Sequence, residues 1–224
     1  MINKWIKTIG SFFSIGVLGC LFLLSCCSKT KMSSNLFNQW MQPSDKIKVL
    51  STVAMIDDIV RQIGQEKILH MPLISGQIDP HSYEMVKGDD EKLHMATVVF
   101  YNGLGLEHGA SLSNHLLNHK NAIALGDIVA QRVPEEMIYI DRTIDPHIWM
   151  DISLWSLIID PIVQELSRLD PESAEFYKHN GENLLKKKKK MDRKIYHAMH
   201  QIPSSQRYLV TSHDAFNYFT RAYL

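Results

Sequence analysis

Asp79-Pro80-His81 and Asp145-Pro146-His147 repeat one tripeptide, and Thr211-Ser212-His213-Asp214 offers a further histidine flanked by a carboxylate. Neutral imidazole is a good donor to first-row transition metals, and several of them aimed at one point make a metal site. Proline fixes its own φ and keeps the residue before it extended, so each Asp-Pro-His is a stiff arm with little entropy left to lose when its ring is held. The adjoining Asp79, Asp145 and Asp214 are of the type that fixes an imidazole tautomer from behind. Taken singly each of His81, His147 and His213 reads as a structural histidine as readily as a ligand, and it is their joint occurrence that raises metal ligation as the chemistry to weigh. The chain has 11 histidines in all, and the others read differently. His70, His94, His179, His197 and His200 stand beside polar residues as surface or hydrogen-bonded groups. His108, His115 and His119 share an exposed helix face in this reading.

All 3 cysteines, Cys20, Cys26 and Cys27, lie near the N-terminus. The body after them has no thiolate to offer, so its metal donors are nitrogen and oxygen, which suits manganese, iron or zinc better than copper(I). Around the cysteines the sequence has the layout of an export signal: Lys4 and Lys7, an apolar run from Ile9 to Leu24, then Leu23-Leu24-Ser25-Cys26. That ending resembles a bacterial lipobox, with Cys26 as the lipidated residue. Val17-Leu18-Gly19-Cys20 fits the same pattern, but the polar stretch after Cys26 favours the later site. An uncleaved membrane anchor is the competing reading of this run.

The elements that must position the histidines are legible as alternating strands and helices. Ile47–Val53 reads as a strand, Met55–Ile63 as a helix, Lys67–Ile74 as a strand, Glu91–Met95 as a helix, Thr97–Tyr101 as a buried strand and Leu106–Leu117 as a helix. This rhythm predicts an α/β fold with a mainly parallel sheet and ligand loops at the strand C-termini. Ser153–Leu169 reads as one amphipathic helix kinked at Pro161, Pro171–His200 as one long helix, and Arg207–Thr211 as a strand. Lys186 to Lys190 reads as a solvated helix face. With 24 basic and 24 acidic residues the net charge is zero, so no nucleic-acid partner is expected.

Four ordered segments then carry a resemblance: Asp79-Pro80-His81-Ser82-Tyr83-Glu84, Asn102-Gly103-Leu104-Gly105-Leu106-Glu107, Asp145-Pro146-His147-Ile148-Trp149-Met150-Asp151 and Thr211-Ser212-His213-Asp214-Ala215-Phe216. Together they resemble the metal-binding solute-binding proteins of manganese, zinc and iron ABC importers. The resemblance implies two α/β lobes joined by a long rigid helix, with a divalent Mn, Fe or Zn ion in the cleft as transported ligand. His81 and His147 would be first-lobe ligands and His213 the first ligand from the second lobe. The implied organisation is a signal peptide with lipobox over 1–26, a tether over 27–44, an N-terminal lobe over 45–169, a linking helix over 170–202 and the start of a second lobe over 203–224. Most of that second lobe, and the family's fourth donor, a carboxylate, are expected to lie past Leu224. The implied protein is an exported monomer, at the periplasm or cell surface, held to the membrane by lipid and partnered by an ABC permease. It is not an enzyme. Only His115 and His119 stand in Gly109–Ile144, where zinc importers often carry a His-rich loop, which leans towards manganese or iron. The rival readings are a metal-dependent hydrolase, with Glu84 or Glu107 as general base, and a surface adhesin.

Overall fold

The computed structural model of the chain describes residues 36–76 and 78–224. The export signal, Cys20, Cys26 and most of the tether lie outside the described residues. Residues 36–41, at the end of the tether segment, are helical. Among the described residues no helix is long and apolar enough to cross a membrane.

From Ser44 onwards the chain builds one α/β unit. Its first strand, β1 (Ile47–Val53), is buried at every residue, as a strand covered by helices on both faces must be. Helix α1 (Ala54–Gly64) crosses over to β2 (Ile68–Ile74), and α2 (Asp89–Met95) leads to β3 (Val98–Tyr101). Then α3 (Ala110–Asn118) leads to β4 (Ala122–Ala124), which runs straight into α4 (Leu125–Arg132). The four strands pair in the order β2-β1-β3-β4, all parallel. β2 lies at an edge, which is where Pro72, having no N–H for the ladder, is tolerated. Ile56, Ile59, Val60 and Ile63 of α1 are buried at helical spacing, each removing about 1.5–3 kcal/mol worth of apolar surface from water.

A small antiparallel hairpin, β5 (Tyr139–Ile140) and β6 (Thr143–Ile144), precedes the second Asp-Pro-His segment. Beyond it come α5 (Ile152–Ser156), α6 (Ile159–Leu169), α7 (Ala174–Met199) and α8 (Asn217–Tyr223). The 26 residues of α7 extend about 39 Å. Its first half is anchored on α1 and α6 through buried Tyr177, Gly181 and Leu184. At Gly181 a Cβ would come within 2.7 Å of Val163, so glycine lets the two helices meet. The lysines of the run in α7 are exposed apart from half-buried Lys188.

Three expectations are corrected. The amphipathic segment Ser153–Leu169 is two helices, because the break falls at Leu157 and Ile158; Pro161 then sits in the first turn of α6, where its missing N–H costs nothing. Arg207–Thr211 is not a strand: residues 207–210 have no ladder, and Tyr208 and Val210 are 76% and 89% exposed. Extended propensity is present there, but a strand forms only where a neighbour accepts its backbone groups. The helix expected to carry His108, His115 and His119 on one face begins at Ala110 and ends at Asn118, leaving only His115 inside it. β4, α4 and the hairpin were not foreseen, being too short to show a period.

Candidate metal centre

Each Asp-Pro-His segment folds on itself in the same way. Asp79 Oδ1 accepts from the backbone N–H of His81 at 3.0 Å, and Asp145 Oδ1 accepts from that of His147 at 3.0 Å. A carboxylate two residues upstream is a local backbone acceptor, and proline between the two removes the alternatives. The arms then differ. The Asp145 carboxylate also reaches the ring Nδ1 of His147 at 2.6 Å, whereas Asp79 is joined instead by the Ser82 hydroxyl at 3.3 Å. Asp214 serves no ring either; it accepts from Asn217, whose amide also donates to Asp145 Oδ2 at 3.0 Å. Of the three adjoining carboxylates, Asp145 alone holds an imidazole.

A carboxylate can only accept, so Nδ1 of His147 carries the proton and its Nε2 presents a lone pair. His147 is 5% exposed. His81 Nε2 lies 3.0 Å from that lone pair and His213 Nε2 lies 3.2 Å from it. Among the described residues these three form the one cluster of histidine, cysteine or carboxylate donors close enough to share an ion. The structure thus brings together the three histidines singled out by sequence. Neither Glu84 nor Glu107 joins them. Glu107 is buried and committed elsewhere, accepting from the Thr52 hydroxyl at 2.6 Å and from the backbone N–H groups of Asn102 and Gly103 at 2.8 and 3.0 Å. Burial pushes its carboxyl pKa up, and these donors oppose the shift.

Burial also pushes the Asp145 carboxyl up, but the hydrogen bonds from the His147 ring and backbone and from Asn217 outweigh it and hold the group below its ordinary range. Burial, and then Coulombic repulsion between the His81 and His147 rings, hold the His81 ring below the ordinary imidazole value, with Asp79 pulling the other way.

The loops that aim the rings are tied to one another. Asn102, at the end of β3, donates its side-chain amide to the Pro146 carbonyl at 3.1 Å, which anchors the His147 arm. The turn after it runs through Gly103, Leu104 and Gly105 at φ of 73°, 55° and 77° and is held from α4, where Asp127 accepts from Leu104 N–H at 2.8 Å. A Cβ on Gly103 would come within 2.7 Å of that carboxylate. Sequence reasoning found the Asn102–Glu107 segment but missed Asp127 and Gly126, whose signal was only a glycine-acid pair at an unrecognised helix start. On the other side, Gly109 lets the His81 arm close in, since a Cβ there would lie 2.3 Å from the Tyr83 carbonyl oxygen. Gly109→Ala is accordingly expected to push back the 81–83 turn, with a loss of about 1–3 kcal/mol in thermal unfolding and weaker metal binding in the same preparation. Retained affinity would mean that the His81 arm does not depend on this contact.

His213 reaches the cluster from the C-terminal segment, which docks on the rest of the unit through α8. Tyr218 is fully buried, donating from its hydroxyl to the Asp145 carbonyl at 3.0 Å and accepting from Ile138 N–H at 3.1 Å. Tyr223 donates to Asp192 at 2.6 Å and accepts from Ile152 N–H at 3.2 Å. Arg221 donates to the Glu136 carbonyl at 2.6 Å. α8 is thus held to the rest of the unit, while Tyr208 and Val210 ahead of it are exposed.

An open parallel sheet whose loops converge on a knot of imidazoles is the build of a metal-binding protein. The chain belongs to the family described as zinc-uptake complex component A, periplasmic (ZnuA), whose model matches residues 49–224. It is 36% identical over 223 residues to the metal-binding protein YtgA of Chlamydia muridarum, covering all of this chain and 65% of that protein. It is 32% identical over 224 residues to the manganese ABC transporter substrate-binding lipoprotein PsaA of Streptococcus pneumoniae, covering 97% of this chain and 69% of that one. Its fold matches the crystal structure of Fe(III)-bound YtgA from Chlamydia trachomatis with a TM-score of 0.77 at 39% identity, over 80% of this chain and 62% of that one. The chain spans a little under two thirds of the length of the YtgA proteins it matches.

Proposed function

We propose that this chain captures a first-row transition metal ion outside the cytoplasmic membrane and passes it to an ABC permease, with His81, His147 and His213 as ligands. The observation that carries this is the convergence of three Nε2 atoms on one point. His147 offers a single lone pair, which cannot serve two hydrogen-bond donors at 3.0 and 3.2 Å well, whereas one cation satisfies all three rings. An ion held at about 2.0–2.1 Å by each imidazole nitrogen sets pairs of those nitrogens about 3.0–3.4 Å apart. The separations of His81 and His213 from His147, 3.0 and 3.2 Å, fall in that range.

Capture is reversible ligation, with no bond made or broken in the cargo. Imidazole donors accommodate zinc and iron(II) readily and manganese(II) less tightly, so in vitro affinity is expected to follow the general order, zinc above iron above manganese. The zinc, iron and manganese in the descriptions of the family and its relatives fit this donor set. The absence of a His-rich stretch before the second Asp-Pro-His segment favours manganese or iron as cargo. Lipidation at Cys26 and a monomeric working state belong to the same reading, as does the role of α7 as the link to a second lobe that begins after Ile202. Titration of the full chain with zinc, manganese and iron(II) tests the proposal. One tightly bound ion per chain is expected, and weak binding without fixed stoichiometry would sink it.

Asp145 has a defined part in this scheme, keeping the His147 proton on Nδ1 and raising the basicity of Nε2. Asp145→Asn is expected to weaken metal binding by about 10–100-fold in a competition titration. Unchanged affinity would mean that the Asp145–His147 contact is structural only.

A further inference from the structure

We infer that His108 forms an encounter site with His81, through which the cation is first taken from solvent before it settles against His147 and His213. This rests on the metal-capture reading and adds to it a fourth histidine and an order of events. His108 lies just ahead of α3 and is exposed. Its Nδ1 is 3.1 Å from the Gly105 carbonyl oxygen. A carbonyl can only accept, so the proton sits on Nδ1 and Nε2 is left as a lone pair, the same ligand-ready tautomer that Asp145 imposes on His147. The left-handed turn through Gly103, Leu104 and Gly105 forms the segment that carries this carbonyl.

The His108 ring centroid is 5.9 Å from that of His81, against 5.1 to 5.4 Å between rings within the triad. An imidazole nitrogen about 2.0–2.1 Å from an ion puts its ring centroid about 3.2 Å from it, so two rings on one ion have centroids up to about 6.4 Å apart. The His81–His108 pair is inside that limit. His108 is nevertheless outside the cluster of three whose donor atoms all lie close together. It therefore does not complete the final site. It makes a second, outer pair that shares His81 with the inner one.

Exposure falls along this line, from exposed His108 through half-buried His81 to buried His147, while His213 is exposed on the C-terminal segment. A hydrated cation arriving on the His108 side meets His108 and His81 before buried His147. It then exchanges His108 for His147 and His213 while His81 stays bound, so at no point is it released. A step of this kind speeds entry and exit together, since an intermediate on the path lowers the barrier from both sides and leaves the end states unchanged.

The test is stopped-flow zinc association and chelator-driven release with the full chain, wild type beside His108→Gln and His108→Cys. It is run at one pH for all three proteins, with glutamine as an uncharged replacement. His108→Gln is expected to slow both association and release by about tenfold and to leave equilibrium affinity within about twofold. His108→Cys should recover the wild-type rates, because a thiolate is also a zinc donor. Equal rates in wild type and His108→Gln, with stoichiometric zinc in both, overturn the encounter site and leave the triad standing. A loss of affinity through faster release alone also overturns it, by making His108 part of the final site. No stoichiometric zinc in the wild type defeats the capture reading itself, and the encounter site with it.

Discussion

Full-length chain carrying His81→Ala together with His147→Ala is expected to hold no stoichiometric metal under conditions where the wild type binds one ion, a fall in affinity well beyond about a hundredfold. Loss of a partner behind a ligand already costs about 10–100-fold, and here two of the three proposed ligands are gone. The two single variants should not be equal. His147 is buried, oriented by Asp145 and in contact with both other rings, while His81 is half-buried and positioned only through its backbone. His147→Ala should therefore bind more weakly than His81→Ala. It should also unfold more easily in the absence of metal, because the buried Asp145 carboxylate loses a donor, at a cost of about 1–3 kcal/mol. Titrations of the three variants, with metal-free thermal unfolding alongside, separate the two effects. Equal, weak binding by wild type and double variant would mean that the knot of imidazoles is not where metal goes.

Protons compete for the same nitrogens, and the sign of that competition follows from His81. Its folded pKa lies below the ordinary 6.5, through burial and then Coulombic repulsion between its ring and that of His147. The ring therefore stays neutral, and able to ligate, into mild acid. Proton competition at His81 weakens binding only as pH falls through the window beneath 6.5, and not near neutrality. In that same window the unfolded chain binds the proton more tightly than the folded one, so the metal-free protein loses this contribution to stability as pH drops and keeps it above 6.5.

The histidines that cluster were legible in the sequence because the information that marks two of them is local. A proline between an aspartate and a histidine dictates the arm without reference to the rest of the fold, and both arms are found as read. The main strands were legible for a similar reason: β1 and β3 are apolar runs that parallel sheets bury whole. What could not be read was the choice among equivalent local chemistries. Asp79, Asp145 and Asp214 look alike in sequence, yet only Asp145 meets a ring, because Tyr218 and Asn217 arrive from α8 to fix its carbonyl and carboxylate. The support of the Asn102–Gly105 turn by Asp127 is likewise a contact between distant segments, carried by a helix of eight residues that shows too little periodicity to be found. The segment 207–211 failed in the opposite sense. Its propensity is that of a strand, but strand formation is decided by a neighbour's backbone and not by the segment.

Tyr218 is where the delivery of the third ligand can be tested. Tyr218→Phe leaves the ring in place but removes the donor to the Asp145 carbonyl and the acceptor for Ile138 N–H, with an expected cost of about 1–3 kcal/mol. Tyr218→Ala empties the pocket as well, at about 3–5 kcal/mol for an aromatic of this burial. In either variant α8 loses one of its anchors, and His213, four residues before the start of α8, is less firmly kept at its distance from His147. Metal affinity of Tyr218→Phe is expected to drop by about 10–100-fold, in the range seen for groups that position a ligand. A double-mutant cycle decides how. If Tyr218 acts by presenting His213, then His213→Ala with Tyr218→Phe binds metal no worse than His213→Ala alone, since residues acting as a unit are not additive. Full additivity would sink that view, and would place the effect of Tyr218 on His147 by way of Asp145, whose carbonyl its hydroxyl touches. The cycle thus distinguishes a C-terminal segment that serves the site by bringing a ligand to it from one that only braces the ligand already there.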